Sequence, residues 1–146
     1  MMNMPRRRAE EWLSAAAPDP AACRRQWAHG ENAVALLPAG RFWDVLNVPE
    51  RLGVKALDEL RRLPEQEPGP TLGDFAGHRV SFFLPPDPRT LWVGTDIHYI
   101  GHGTWITVPA PYRTAGSLRW LVSPDGSGVL HLPDALELAL VEAARR

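Results

Sequence analysis

The sequence predicts an α+β domain, a mixed β-sheet with helices packed against it. Three observations carry this: apolar runs with strand periodicity occupy the middle of the chain, segments with helical spacing sit at both ends and between the strands, and proline or glycine clusters separate nearly every one of them. At 146 residues, 45% of them hydrophobic, the chain is long enough for one domain with a real core and short for two.

Residues 1–9 carry no periodic pattern and read as a flexible arm, so the domain proper is expected over 10–146. A first helix is expected from Ala9 to Ala17, with Trp12 and Leu13 on one side and Pro18 as the stop. Asp19-Pro20 then opens a second helix, the aspartate as N-cap and the proline in the first turn. It places Cys23 and Trp27 on one buried side and ends at His29-Gly30. Ala33 to Leu37 is a continuous apolar run closed by Pro38-Ala39-Gly40, which predicts a buried central strand and a turn. Arg41 to Pro49 is the next strand, with Phe42, Asp44, Leu46 and Val48 on one face and Trp43, Val45, Asn47 and Pro49 on the other.

Pro49-Glu50 opens a third helix whose stripe is Leu52, Ala56, Leu57, Leu60 and Leu63. Glu65 to Pro70 reads as a surface loop. Thr71-Leu72 and Arg79 to Leu84 are strands on either side of a Gly77-His78 turn, and Pro85-Pro86-Asp87-Pro88 ends the second. From Leu91 to Pro111 the chain predicts a hairpin: a strand through Val93, Ile97 and Ile100, a turn at Gly101-His102-Gly103, and a strand through Trp105, Ile106 and Val108. In that reading Asp96 and His98 lie two apart in one strand and face the same way. Leu118 to Val122 is the last strand, Pro124 to Gly128 a turn, and Pro133 opens a final helix with Leu136, Leu140, Val141 and Ala144 on one face.

Composition excludes several classes. A net charge of -1 gives no global attraction for nucleic acid or a membrane surface, so a polyanion must be met by a local patch. The only lysine is Lys55, and the Arg, Ala, Pro and Gly content is what a GC-rich genome produces, so arginine abundance is not counted as a phosphate signal. The single cysteine, Cys23, excludes an internal disulfide and a thiolate metal set and fits a reducing cytoplasm. No apolar run reaches the ~20 residues of a membrane span, and Arg6-Arg7-Arg8 leads into Glu10-Glu11 rather than a signal-peptide core.

His98 and His102 are four apart, but on a strand that spacing does not bring two imidazoles together, so no metal site is read there. Ser81 and Ser117 lack a nucleophile-elbow context. Trp43, Trp105 and Trp120 stand at strand spacing and read as core residues rather than base-stacking platforms.

Asp19-Pro20 with Trp27 and VALLPAG at 34–40, WDVLNVPERLG at 43–53, and GTDIHYIGHGTWITVPAP at 94–111 together resemble the N-terminal domain of bifunctional DNA primase/polymerases, the prim-pol branch of the archaeo-eukaryotic primases. The resemblance runs from about residue 10 to 146, and its third segment is the most specific. It implies a prim-pol-like fold and, in active members, paired aspartates of a first motif and one later aspartate holding divalent metal for phosphoryl transfer. Here the first pair falls on Asn47 and Pro49, neither a carboxylate; the second motif's histidine falls near Val80, with His78 two residues earlier; only Asp96 is kept. The resemblance therefore implies a non-catalytic member with an accessory or regulatory role in nucleotide or nucleic-acid binding, with no cofactor. Its partners would be nucleic acid, a nucleotide or another replication-associated protein. Arg41, Asn47, His98 and Arg113 are the binding candidates, and Arg79 and Arg89 are placed with Arg41 and Arg113 along a cleft beside Asp96. Two alternatives stand: an active enzyme using Mg²⁺ or Mn²⁺ with Asp44, Asp96 and His78 in a rearranged site, or a structural protein-interaction domain.

Overall fold

A computed structural model describes residues 4–63, 67–87, 92, 94 and 96–146. Arg89, the start of the strand expected from Leu91, Pro88 and part of the expected 65–70 loop lie outside the described residues.

In chain order the elements are α1 (Met4–Ser14), α2 (Pro20–Trp27), β1 (Val34–Pro38), β2 (Asp44–Pro49), α3 (Glu50–Arg61), β3 (Thr71–Asp74), β4 (Arg79–Leu84), β5 (His98–Ile100), β6 (Trp105–Pro109), β7 (Leu118–Val122) and α4 (Pro133–Ala144). The α+β class holds. Every described strand pairing is antiparallel, where a mixed sheet was expected: β1 pairs with β6, and a five-stranded sheet runs β5-β2-β4-β3-β7.

The alternation in β2 and β4 divides the core in two. Val45, Phe83, Leu72 and Trp120 face one way and pack with Trp43, with Leu13 of α1 and Ala16 just after it, with Cys23 and Trp27 of α2, and with Ala35, Leu37 and Val108 of the small sheet. Leu46, Val48, Val80, Phe82 and Leu84 face the other way, against Ala56, Leu57 and Leu60 of α3 and Leu136, Ala139, Leu140 and Ala143 of α4. A strand buried on both faces has to be largely apolar, and in β4 the run Phe82-Phe83-Leu84 with Val80 is, the polar Arg79 and Ser81 falling at its other end. α3 approaches β4 closely because residue 53 is glycine: a Cβ there would lie 2.5 Å from Val80 Cβ.

Several expectations are corrected. α1 begins at Met4, so residues expected in the arm form its first turns; Pro5 is tolerated there, where no helical N–H is needed, and Arg7 pairs with Glu11 one turn on at 3.2 Å. β1 is not a central strand. Among the described residues it has one neighbour, and its burial alternates, leaving Leu36 60% exposed on the outer side together with Trp105 at 50%. Trp43 and Trp120 are core residues as expected; Trp105 is not. Leu63 lies beyond the end of α3 and is exposed, and on α4 the buried stripe turns through Ala139 and Ala143 rather than Val141 and Ala144.

The expected hairpin does not form. The glycine turn is present, with Thr104 N–H donating to the Gly101 carbonyl at 3.1 Å, yet β5 joins the edge of β2 and β6 joins β1. The cause lies at Gly40, which has a φ of +93° and sits so close to the turn that a Cβ would come 2.4 Å from His102 Cα. The β1–β2 connection thus crosses against the Gly101–Gly103 turn, Ala39 N–H donating to the Thr104 carbonyl at 2.9 Å, and sends the flanking strands to separate sheets.

Candidate functional site

The polar end of the five-stranded sheet is assembled by register. Asn47 on β2 stands opposite Ser81 on β4 and His98 on β5, while Pro49 stands opposite Arg79. Opposed residues of adjacent strands share a face, so Asn47, Ser81, Arg79 and His98 come together beyond the apolar cluster of Val45, Phe83 and Ile100 on that same face.

Arg79 is the hub. Its Nε donates to Asn47 Oδ1 at 2.6 Å; its Nη2 reaches the Asn47 carbonyl at 3.2 Å, the Asp96 carbonyl, and His98 Nδ1 at 3.4 Å. A guanidinium only donates, so the contact to His98 uses the Nδ1 lone pair and leaves the ring proton on Nε2. Asn47 completes its own bonding by donating Nδ2 to Ser81 Oγ at 2.9 Å. Among the described residues Arg79 has no carboxylate partner, and its Nη1 makes no hydrogen bond.

Asp96 is not in the strand with His98. Its φ is +61°, the left-handed region that a short polar side chain tolerates at a turn, and β5 begins only at His98. Its backbone carbonyl faces Arg79, while its carboxylate is exposed and has no partner among the described residues.

The other candidates go elsewhere. Asp44, 2% exposed, lies on the opposite face of β2 from Asn47, as the alternation requires. Its Oδ2 accepts from the Tyr99 hydroxyl and from the Asp87 N–H at 3.1 Å, and its buried Oδ1 has no partner. Burial first, and the hydrogen bond to Asp44 second, raise the Tyr99 hydroxyl pKa well above its ordinary value. His78 occupies the β3–β4 turn with a φ of +59°, its exposed ring 3.4 Å from Glu50 Oε1. Arg41 is exposed and stacks on Phe42 at 4.9 Å. Arg113 binds Asn32 Oδ1 at 2.7 Å, at the entrance to β1.

The fold therefore joins Asn47, His98, Arg79 and the Asp96 backbone, and gives Asp44, His78, Arg41 and Arg113 separate partners. Ser81, Tyr99 and Asn32 were missed. Ser81 was legible, since pairing the alternating patterns of β2 and β4 puts it opposite Asn47. Tyr99 and Asn32 meet their partners across 55 and 81 residues, beyond local pattern.

A divalent cation of the kind the resemblance implies needs several convergent hard anionic oxygens. The cluster offers a neutral amide oxygen, two peptide carbonyls and an imidazole, already engaged by a cation, and no group of three His, Cys, Asp or Glu side chains suited to a metal exists among the described residues. The residues do not fit that metal. Among the described residues no helix is long and apolar enough to cross a membrane.

The family model for the N-terminal domain of bifunctional DNA primase/polymerases (Prim-Pol) matches residues 2–135. No curated protein and no solved structure matches the chain.

Proposed function

The chain belongs to the bifunctional DNA primase/polymerase N-terminal family, and on that footing we propose that it is a non-catalytic member that binds a nucleotide or nucleic-acid phosphate in an accessory or regulatory role. The observation that carries this reading is the Arg79 hub. The positions that resemble the family's first and third acidic motifs, Asn47 and Asp96, present oxygens to a guanidinium. That fixed positive charge disfavours a metal dication in the same place. It also leaves Nη1 to donate to a phosphate oxygen, a pairing the planar fork suits. A cytoplasmic setting and a replication-associated protein partner belong to the same proposal.

The test is a thermal-shift titration at low salt with a nucleoside triphosphate and with a single-stranded oligonucleotide, each in EDTA and in Mg²⁺ or Mn²⁺. The expected outcome is stabilisation that does not require metal, approaching about 2.7 kcal/mol when ligand reaches a hundred times its Kd, and that disappears in Arg79→Met. Metal-dependent primer extension that is lost in Asp96→Ala would instead establish the enzyme reading. The interaction-domain reading draws on the exposed Leu36 and Trp105 of the β1–β6 sheet, and a melting temperature unmoved by any nucleotide or nucleic acid would favour it.

A further inference from the structure

The helix α4 lies on the face of the five-stranded sheet opposite the Asn47–Arg79 cluster, with Leu136, Ala139, Leu140 and Ala143 packed inward. Its outward side differs from that of α3 beside it. α3 presents Arg51, Asp58 and Arg61 around a single Val54, whereas α4 presents Leu138 and Val141, 68% and 46% exposed. Leu138 is the most exposed large apolar side chain among the described residues. An isolated exposed leucine is ordinary, but these two are three apart, side by side on a helix that is apolar on its inner side as well. A helix apolar all round is one that is covered all round.

The charges around this pair select what covers it. Asp134, Leu138, Val141 and Arg145 follow one another at spacings of four, three and four, which at 3.6 residues per turn keeps them within about 60° of arc. Arg145 is the C-cap and keeps helical angles, φ −79° and ψ −15°, so the stripe is continuous to its end. The acid stands at one end and the base at the other. Asp134 makes no ion pair among the described residues, and Arg145 uses only Nη1, on Glu142 at 3.2 Å. Glu137 and Glu142 fall at the two margins of the stripe.

Such a stripe is complementary to itself when reversed. Laid antiparallel about a two-fold axis between residues 139 and 140, Leu138 of one copy meets Val141 of the other, and Asp134 meets Arg145 at both ends. A parallel pair would set Asp134 against Asp134 and Arg145 against Arg145. We propose that the outer face of α4 is a homodimer interface, taken up by α4 of a second copy in antiparallel register. Leu138 and Val141 supply the apolar contact, and the terminal charges fix the direction. One helix pair covers less than the roughly 1,200 Å² of a standard interface, so the dimer is a weak one that forms with concentration. It leaves the Arg79 cluster uncovered in both copies, and the proposal stands apart from the reading of that cluster.

Sedimentation velocity on the full chain, from ~10 μM to ~1 mM at low salt, is expected to show the mass rising with concentration from one chain toward two. Leu138→Lys, whose new ammonium can pair with Asp134 and Glu142 of its own helix, should keep the melting temperature and stay a single chain throughout. Asp134→Arg and Arg145→Asp should each associate about tenfold more weakly than the parent chain, and an equimolar mixture of the two should recover association, because each then carries the charges the other lacks. A single-chain mass at every concentration would overturn the proposal. So would association that survives Leu138→Lys, association lost in Leu36→Glu on the small sheet, or a mixture no tighter than either variant alone.

Discussion

His131 is 2% exposed and closes a ring of hydrogen bonds: Gly69 N–H donates to its Nδ1 at 3.3 Å, its Nε2–H donates to Thr71 Oγ1 at 2.8 Å, and Thr71 Oγ1 donates to the Gly69 carbonyl at 3.0 Å. The ring is neutral because Nδ1 must accept. Burial lowers the imidazole pKa from 6.5 to about 4, and a proton on Nδ1 would also face the Gly69 N–H. The folded pKa lies below the unfolded one, so this contribution is fully present above pH 6.5 and is lost as pH falls toward 4, by up to about 3 kcal/mol. Urea unfolding at pH 7 and pH 4.5 should show the loss, and a His131→Gln variant should show a smaller one; ring resonances of His131 that titrate near 6.5 would refute the assignment. No feature of the sequence around Leu130-His131-Leu132 marks this histidine as a core residue, because its partners lie some 60 residues away. Asp44 is the same kind of case: its carboxylate reads as a site candidate in sequence, and in the fold it anchors the Asp87 backbone and Tyr99.

At the scale of elements, the signals that worked were those satisfied within one turn or one strand. Asp19 caps α2 as its position before Pro20 predicts, its Oδ1 accepting from Ala22 N–H at 3.1 Å. Asp19→Ala should lower stability by about 1 kcal/mol, measurable as a shift in the urea midpoint with no change in slope. β4 and β7 run as their apolar patterns predict, and α3 starts at Glu50 as expected. The Leu91–Pro111 stretch failed because its turn chemistry is that of a hairpin while β5 pairs with β2 and β6 with β1, the Gly40 connection packing against the turn between them. That one difference moves Asp96 out of the strand that carries His98 and replaces a shared side-chain face with a backbone carbonyl directed at Arg79.

For the molecule as a whole, the five-stranded sheet separates two apolar clusters with no residue in common. Leu37→Ala and Leu57→Ala, one in each cluster, should each cost about 2–5 kcal/mol and combine within roughly 0.5 kcal/mol of the sum in chemical denaturation, since they share no packing partner. A larger coupling would mean that the sheet transmits packing between its faces. The sequence by itself determined the α+β class, the Asp19 cap of α2 and the alternation of β2. It also determined which family positions carry Asn47, Pro49 and Asp96, because each of these depends on neighbours a few residues away or on residue identity alone. Only the tertiary structure decided that Arg79 gathers Asn47, Asp96 and His98, that Asp44 turns to Tyr99, and that Arg113 binds Asn32. Those contacts join segments 17 to 81 residues apart, and their formation depends on strand order and register, which no local periodicity encodes.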